Sequence, residues 1–287
     1  MTDLLIIGKN GQLGQQLVKI SKKLNLKFIA FSKKEFDVSS KKSLEKIKKL
    51  KPRIIINTSA YHVTAECEIH PLNAFKINSV AVANLAKLAK ELNAKFVTYS
   101  TNYVFDGKKK SAYVESDITN PLQMYGLSKL AGEIAALNEY PDGTFIIRTC
   151  GVYGGKQGSK AKKGNYILKI ISEAKNKGSI YASTKQMVNP TFAGDLAKAT
   201  LDLMDLKIRG GIYHLANEGT ISWYDFAKKI LKYKGIKSVK VLAYDKNEEN
   251  KDFKSPLFSV LKNTKAKKLG VVLPSIDKGL QEYIKEI

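Results

Sequence analysis

The sequence predicts an α/β fold in which helices cover both faces of a doubly wound parallel sheet, with a smaller lobe towards the C-terminus. Three observations support this prediction. Short apolar segments alternate with amphipathic ones, a glycine-rich segment follows the first apolar segment, and the alternation loosens after Thr149. Strands that alternate with helices are typical of βαβ units, whose helices bury both faces of the sheet.

The predicted elements of the first half come in a regular order. Strands are expected at the short apolar runs 4–7, 28–31, 54–56, 96–99 and 145–147. A helical pattern of apolar residues runs over 73–92 between the third and fourth of these strands. The first 150 residues therefore predict one domain built on a parallel sheet.

The second half predicts fewer and more widely spaced elements. Helices are expected at 166–176 and 192–204, and strands at 179–182 and 211–216. A further helix opens at Ser222, because Ser222 and Asp225 have the spacing of a capping box. We predict a domain over 1–150 and a smaller lobe over 151–287, partly interleaved with the first domain around 185–216.

The charge of the chain favours a lysine-rich solvated surface. The formal net charge is +23, but the only arginines are Arg53, Arg148 and Arg209. Nucleic-acid readers commonly use arginine for bidentate contacts and interleave aromatic residues. We therefore expect no nucleic-acid partner, although such a charge can steer an anionic small molecule towards the protein.

Several other classes of protein are disfavoured. Cys67 and Cys150 lie far apart and the three histidines are scattered, so neither a disulfide framework nor a metal site is predicted. No apolar run approaches the roughly 20 residues of a membrane span. The N-terminal segment lacks the basic start and cleavage site of a signal peptide. A cytoplasmic protein without a membrane partner is expected.

A glycine-rich turn follows the first predicted strand. Gly8, Gly11 and Gly14 form the pattern Gly-x-x-Gly-x-x-Gly at the start of a predicted helix. Glycines let the backbone approach a pyrophosphate closely, and the free N–H groups at a helix N-terminus attract its charge. Directly after a first strand, the pattern predicts a dinucleotide site and hence a Rossmann-like sheet.

The end of the second predicted strand indicates which dinucleotide is bound. An NAD site usually has an acidic residue there for the ribose 2′-hydroxyl. Here Ser32, Lys33 and Lys34 follow the strand, a hydroxyl and two cations that suit a 2′-phosphate, and Asp37 lies a few residues too far along. NADP(H) is therefore preferred, with NAD(H) possible.

A tyrosine precedes a lysine by four residues at four places in the chain: Tyr125/Lys129, Tyr181/Lys185, Tyr224/Lys228 and Tyr233/Lys237. On a helix this spacing puts both side chains on one face. A free tyrosine has a pKa of about 10, and a neighbouring ammonium favours the phenolate. Such a pair can protonate a carbonyl oxygen while a hydride reaches the carbon.

Sequence context selects the first of these pairs. Tyr181 lies in a predicted strand, and Tyr224 and Tyr233 lie in or after a late helix. Tyr125 alone begins a helix after the fourth strand, which ends in Ser100 and Thr101. Ligands bind at the carboxyl ends of parallel strands. Tyr125 and Lys129 are therefore the predicted catalytic pair.

With these residues the chain resembles the extended short-chain dehydrogenase/reductases, and within them the dTDP-4-dehydrorhamnose reductases. The resemblance extends over essentially the whole length. It rests on the segments GKNGQLG (8–14), EFDVSS (35–40), PRIIINTSAYHVTAECE (52–68), YSTNYVFDG (99–107), NPLQMYGLSKLAGE (120–133), RTCGVYG (148–154), NPT (189–191) and GIYHLANEGTISWYDFA (211–227).

The resemblance implies an oxidoreductase of dTDP-rhamnose biosynthesis, which reduces the C4 keto group of a dTDP-6-deoxy-4-keto hexose with NADPH. It implies that Tyr125 donates the proton, that Lys129 holds the nicotinamide ribose and that Thr101 hydrogen-bonds the reacting carbonyl. The implied cofactor-binding residues, with those expected above, are Gly8, Asn10, Gly11, Gln12, Leu13, Gly14, Ser32, Lys33, Asp37, Val38, Ala60, Tyr61, His62 and Lys129. A homodimer is possible.

The chain departs from the family pattern on the substrate side. Asn102 replaces the usual aspartate after Ser-Thr, and Gly151 replaces a tryptophan that could stack on a sugar. The family pattern Gln-x-Gly-x-Pro-Thr has Val188 in place of its glycine here, just before Asn189. Ser255 replaces an arginine before Pro256. Thr101, Asn102, Gly151 and Asn189 are the expected substrate contacts.

These departures leave other readings open. The chain could reduce another nucleotide sugar, or it could resemble the non-catalytic NADP-binding regulatory subunit of methionine adenosyltransferase. A nucleic-acid protein that binds through charge alone is a third reading. Turnover of a keto sugar, co-purification with a partner, and salt-sensitive retention on DNA distinguish the three.

Overall fold

The computed structural model describes residues 3–159, 161, 163–243 and 253–287. The strands are β1 (Leu4–Ile7), β2 (Phe28–Phe31), β3 (Ile54–Asn57), β4 (Lys95–Thr101), β5 (Thr144–Thr149), β6 (Ser179–Ala182), β7 (Met187–Val188), β8 (Gly211–His214), β9 (Ile221–Ser222) and β10 (Lys240–Ala243). The helices are α1 (Gln12–Lys23), α2 (Lys41–Leu50), α3 (Thr64–Ile69), α4 (Pro71–Phe75), α5 (Ala81–Glu91), α6 (Met124–Glu139), α7 (Tyr166–Asn176), α8 (Ala193–Asp205), α9 (Trp223–Tyr233), α10 (Thr264–Lys268) and α11 (Ile276–Glu286).

The main sheet has six strands in the order β2-β1-β3-β4-β5-β8, five from the first half of the chain and β8 from the second. Every neighbouring pair in it is parallel. The chain runs outwards from β1 to β2 and then returns to β3 on the other side of β1, so the strand order reverses there. This confirms the predicted doubly wound α/β class, in which ligands bind at that reversal.

The apolar run of β1 supplies both faces of the sheet. Leu4 and Ile6 belong to a core with residues of α1 and α8, whereas Leu5 and Ile7 belong to a second core with residues of α2 and α5. Successive side chains of a strand point to opposite faces, so four consecutive apolar residues are what a strand covered by helices on both sides needs.

The later elements divide between two cores. The parallel pair β6–β10 and the antiparallel pair β7–β9 lie outside the main sheet. Residues of α7, α9 and α11 form a separate core there. In contrast, α8 packs in the core of the main sheet and β8 extends that sheet beside β5. The chain therefore returns to the main sheet after it has left it, and the proposed division into two domains stays a prediction.

The helical pattern at 73–92 forms more than one element. A π-helical segment, Lys76–Val80, lies between α4 and α5, and it buries Asn78 and Ser79. A Cβ on Gly132 of α6 would overlap the Asn78 carbonyl, so α6 lies directly against this segment. π-Segments are frequent at functional sites because they redirect side chains.

Other local predictions agree closely with the structure. The Ser222 hydroxyl accepts a hydrogen bond from the Asp225 N–H at 3.0 Å, which confirms the predicted cap. The helix expected from residue 192 begins at Ala193, and the strand expected over 211–216 ends at His214. In the part of the chain that the structure describes, every helix is too short or too polar to cross a membrane.

Candidate active site

The loops that follow β1, β3, β4 and β5 meet at the carboxyl edge of the sheet. A cavity of about 330 Å³ lies at this edge. Its wall includes residues of α1, β4, α6 and α9, of the loops after β3 and β5, and of the C-terminal segment: Gln12, His62, Thr101, Asn102, Tyr125, Gly151, Tyr153, Trp223 and Ser259. Its size is within the range of small-molecule sites. The main sheet and the smaller lobe thus both contribute to one candidate site.

The glycine turn after β1 fits a pyrophosphate. Gly8 has φ +97°, and a Cβ on it would overlap the Thr58 hydroxyl. A Cβ on Gly14 would overlap the Gly8 backbone. Gly11 caps α1 without a side chain, so backbone N–H groups form the surface at the helix start. Such a surface carries positive partial charge and accepts close approach by an anion.

The side chains around this turn are held within the protein. The Gln12 amide oxygen accepts hydrogen bonds from the Gly154 N–H and the Asn165 amide, both at 3.1 Å. Leu13 is buried in the core, and the Asn10 carbonyl accepts a hydrogen bond from Gln15. Because these side chains are engaged within the protein, the backbone N–H groups of the turn are the atoms left to bind a pyrophosphate.

The loop after β3 is coupled to α6 through Asn78. The Asn78 amide oxygen accepts from the Tyr61 N–H at 2.9 Å, and its nitrogen donates to the Tyr61 carbonyl at 2.8 Å and the Ser128 hydroxyl at 3.0 Å. Ala60, Tyr61 and His62 are half-buried at this edge, and the His62 ring contacts Ser159. Sequence reasoning missed Asn78, because a buried amide within a helical pattern looks like any other polar residue.

The end of β2 has an arrangement that the sequence did not indicate. Glu35 folds back so that its carboxylate accepts from the Ser32 N–H at 2.7 Å and from the Lys9 ammonium at 3.0 Å. Lys33 is exposed. An acidic side chain therefore lies beside the strand end, together with the hydroxyl of Ser32 and the cations of Lys33 and Lys34 on which the preference for NADP(H) rested.

The two other residues predicted for the adenosine end are engaged elsewhere. The Asp37 carboxylate accepts from the Ser39 N–H at 2.9 Å and from its hydroxyl at 2.8 Å. Val38 is buried in the core that includes Phe36. These contacts stabilise the connection to α2, and the predicted role of both residues towards adenosine stays a prediction.

Tyr125 lies in the first turn of α6, beside Thr101 at the end of β4. The Gln123 side chain caps this helix by accepting from the Gly126 N–H at 3.0 Å, and Glu68 accepts from the Met124 N–H at 2.7 Å. The Thr101 side chain lies beside the Tyr125 phenol and acts to lower its pKa. Burial raises the pKa of Tyr125 above its ordinary value. The phenol is consequently protonated at neutral pH, as a proton donor must be.

Lys129 follows one turn later and is almost fully buried. Burial lowers the pKa of Lys129 from 10.5 to about 8, while the nearby charge of Glu133 acts in the opposite direction. Glu133 is itself buried and paired with Arg148. The structure therefore places Thr101 and Tyr125 in the cavity wall and Lys129 one turn along α6, outside that wall, with a charged pair behind it.

The other three tyrosine–lysine pairs lie away from the cavity wall. Tyr181 is exposed on β6, Tyr224 contacts Lys228 through its ring face, and Tyr233 donates to Asp277. The selection of Tyr125 by sequence context agrees with this geometry.

On the substrate side, the structure separates the expected residues. Asn102 lines the cavity and its amide donates to the Ser259 hydroxyl at 2.8 Å. Gly151 also lines the cavity with φ +51°, and a Cβ there would lie 3.2 Å from the Trp223 ring. An indole from α9 thus covers the place where the family tryptophan is missing. Sequence reasoning did not single out Trp223.

Asn189 is not brought into the cavity wall. Its amide nitrogen donates to the carbonyls of Asn217 and Leu261, and its oxygen accepts from the Leu261 N–H. It is 1% exposed. These bonds hold the segment before α8 against the C-terminal segment, so the position expected for substrate contact joins two chain segments instead.

Comparison with known proteins gives a consistent result. The family model described as RmlD substrate binding domain matches residues 1–287. The spore coat polysaccharide biosynthesis protein SpsK of Bacillus subtilis (strain 168) is 31% identical over 287 residues, which cover 100% of this chain and 98% of that protein. The dTDP-4-dehydrorhamnose reductase of Aggregatibacter actinomycetemcomitans is 35% identical over 234 residues, 79% of this chain and 77% of the relative.

A solved structure shares the fold over the full length. The dTDP-4-dehydrorhamnose reductase from Bacillus anthracis str. Ames, in complex with NADP, has a TM-score of 0.92 and 31% identity, and the match covers 100% of both chains.

Proposed function

The chain belongs to the dTDP-4-dehydrorhamnose reductase family, that of the RmlD substrate binding domain, and from this premise we propose that it is an NADPH-dependent reductase of a nucleotide sugar. Its substrate is a dTDP-6-deoxy-4-keto hexose, and reduction at C4 gives dTDP-L-rhamnose. The observation that carries the proposal is the position of Tyr125, which lines the cavity beside Thr101 at the carboxyl end of β4.

The residues that hold the cofactor are those of the glycine turn and of the loops after β2 and β3. The backbone of Gly11, Gln12 and Leu13 at the start of α1 receives the pyrophosphate. NADPH, when bound, supplies the hydride. NADP(H) is the preferred cofactor because the relative from Bacillus anthracis is solved with NADP and because Lys9, Ser32 and Lys33 surround the end of β2.

Tyr125 acts as the general acid on the keto oxygen. Its phenol is half-buried in the cavity wall, is protonated at neutral pH and lies beside the Thr101 side chain. Lys129, one turn behind, keeps a positive charge near the phenol and so stabilises the phenolate that remains after the proton has left. Thr101 is fixed in turn, because it accepts from the Tyr103 N–H at 3.1 Å.

The substrate occupies the cavity between Tyr125 of α6 and Trp223 of α9. Asn102, Gly151 and Trp223 line it, so a hexose ring lies against an indole there. The lysine-rich surface favours the approach of an anionic diphosphate.

The direct experiment measures NADPH oxidation with dTDP-4-keto-L-rhamnose. Wild-type protein turns the sugar over, and Tyr125→Phe lowers kcat by about 10²–10⁴-fold, the usual contribution of a general acid. NADPH binding by this variant is unchanged. Tyr181→Phe, at an exposed tyrosine with the same spacing to a lysine, is the matched control and keeps full activity. A wild-type protein that binds NADPH but leaves the sugar unreduced contradicts the substrate assignment.

A further inference from the structure

The Glu133 carboxylate joins α6 to two strands of the main sheet. Nε and Nη2 of Arg148 on β5 donate to it, and so does the Ser100 hydroxyl on β4. Ser100 and Arg148 are register partners on these neighbouring strands. Glu133 is 3% exposed and Arg148 is 2% exposed, so solvent does not compete for these bonds. The carboxylate therefore has a fixed position behind the carboxyl edge of the sheet.

Lys129 lies four residues before Glu133 on α6 and is 4% exposed. That spacing places the two side chains on the same face of the helix. Burial lowers the pKa of Lys129 to about 8, and the charge of Glu133 opposes this shift. A buried ammonium with an opposite charge nearby keeps its proton to higher pH than one without such a charge. Glu133 is thus placed to act on Lys129.

We propose that Glu133 is a positioning residue, whose carboxylate keeps Lys129 charged behind the Tyr125 phenol. Arg148 and Ser100 hold the carboxylate in place for this role. The cavity wall is formed by other residues, so Glu133 acts through Lys129 and leaves the substrate untouched. This inference rests on the proposed function, in which Lys129 supplies the charge that stabilises the phenolate.

The charged groups at this place come from three elements. Lys129 and Glu133 lie on α6, and Arg148 lies on β5. Glu68 of α3 accepts from the Met124 N–H at the start of α6, more than one turn before Lys129. Among these groups, Glu133 is the one whose charge acts on Lys129. Loss of the Glu133 charge therefore leaves the Lys129 ammonium with the cost of burial alone.

Other titratable groups lie around α6 on the neighbouring elements: Cys67 of α3, Tyr103 after β4 and His214 of β8. Burial and then the charge of Arg148 lower the pKa of His214 to about 3, so its ring is neutral at pH 7. Burial raises the pKa of Tyr103, which is neutral as well. The π-helical segment contributes Asn78 and Ser79, which are uncharged. Buried neutral surroundings strengthen the interaction between Glu133 and Lys129.

The first test measures the protonation of Lys129 directly and needs no substrate. In protein labelled with ¹³C at the lysine Cε atoms, the NMR resonance that Lys129→Met removes belongs to Lys129, and its titration gives the pKa. We expect Glu133→Gln to lower the pKa of Lys129 by at least about one unit, because the opposing charge is lost while burial remains. Glu139→Gln, at an exposed glutamate of the same helix, is the matched control and leaves this pKa unchanged.

Two further variants separate the effect of charge from that of folding. Glu133→Gln/Arg148→Met removes both charges of the pair, so the titration stays measurable if the single change unfolds the protein. The pKa of Lys129 should again lie below the wild-type value. Glu133→Asp retains a carboxylate, and its Lys129 pKa should lie between those of the wild type and Glu133→Gln. The same pKa of Lys129 in the wild type and in every folded variant overturns the proposal.

The pH profile of sugar reduction provides a second readout. In the wild type, we expect kcat to fall on the alkaline side as Lys129 loses its proton, near about pH 8. A pKa that is one unit lower in Glu133→Gln makes kcat about fivefold lower at about pH 8 and leaves it close to the wild-type value at about pH 6. A loss of equal size at both pH values indicates a structural role alone and overturns the proposal.

The two readouts separate this proposal from the proposed function. If the Lys129 pKa responds to Glu133→Gln but the wild type does not reduce the keto sugar, the substrate assignment is wrong and the interaction between the two residues stands. If the wild type reduces the sugar but the Lys129 pKa does not respond, the proposed function stands and the role of Glu133 is refuted.

Discussion

Glu133 and Arg148 form a bidentate ion pair in the interior of the protein. The Arg148 Nε atom lies 3.0 and 3.1 Å from the two carboxylate oxygens of Glu133, and Nη2 lies 2.6 Å from one of them. Both side chains are at most 3% exposed. The Ser100 hydroxyl also donates to Glu133. The pair therefore joins α6, one turn beyond Lys129, to β4 and β5.

Breaking this pair should destabilise the fold. Glu133→Gln leaves the Arg148 guanidinium buried without its counter-charge, and we expect a loss of about 3–5 kcal/mol in the free energy of unfolding. Urea denaturation measures it. Glu139→Gln, at an exposed glutamate of the same helix, should change the stability by less than about 0.5 kcal/mol. The double variant Glu133→Gln/Arg148→Met should recover part of the loss, and strict additivity of the two single changes would contradict a coupled pair.

Lys129 should make stability depend on pH in the alkaline range. The pKa of Lys129 is about 8 in the folded protein and 10.5 as its ordinary value, so between these values the unfolded chain binds more protons. Stability therefore rises with pH across this window, and the cost of burying the charge is fully present below about pH 8. Relative to Lys129→Met, the wild type should gain about 3 kcal/mol from neutral pH to about pH 10.5. If the free energy of unfolding changes with pH in parallel for the wild type and Lys129→Met, the prediction is wrong.

We expect Gly14 to be needed both for the conformation of the glycine turn and for nucleotide binding. A Cβ at this position overlaps the Gly8 backbone, which cannot move without displacing the turn from β1. We expect Gly14→Ala to weaken NADPH binding at least about tenfold and to destabilise the fold by about 1–3 kcal/mol. Gly178→Ala is the control, because a Cβ there meets no atom within 4 Å. Fluorescence titration measures NADPH affinity and thermal unfolding measures stability in the two variants. Equal NADPH affinity in both variants would contradict the prediction.

Trp223 should contribute to sugar binding and leave cofactor binding unaffected. Its ring lines the cavity, lies close to Gly151 and packs on Tyr166 with a centroid distance of 4.4 Å. We expect Trp223→Ala to raise KM for the sugar about fivefold to tenfold, since aromatic contacts contribute about 0.5–1.5 kcal/mol. The KM of Trp223→Phe for the sugar should lie between those of Trp223→Ala and the wild type. An unchanged KM for the sugar, or an equal rise in the KM for NADPH, goes against this role.

Much of the fold could be predicted from local pattern. The run Leu4–Ile7 is apolar at every position, which indicates a strand covered on both faces, and the glycines after it mark the turn into α1. Tyr125 could be selected among four similar pairs because strand order alone places the start of α6 beside the end of β4. In these cases the information lies within a few residues, or in the order of elements.

The missed features depend on residues that are distant in sequence. Glu35 pairs with Lys9, 26 positions earlier, and Asn78 joins the loop after β3 to Ser128 on α6. Gly151 read alone suggested an open wall, whereas Trp223, 72 positions later in the chain, covers that place. Asn189 was expected at the substrate, yet its amide is used by Asn217 and Leu261. Side-chain partners of this kind are decided by packing.

The sequence by itself determined the doubly wound sheet and the glycine turn, and it selected Thr101, Tyr125 and Lys129 as the candidate catalytic set, because periodicity, turn chemistry and strand order are local properties of the chain. Only the tertiary structure decided that Glu35 rather than Asp37 lies at the end of β2 beside Lys9, and that an indole from α9 completes the wall at Gly151. The physical reason is that hydrogen bonds, ion pairs and close packing are satisfied between whichever groups the fold brings within reach, and sequence spacing does not record that distance.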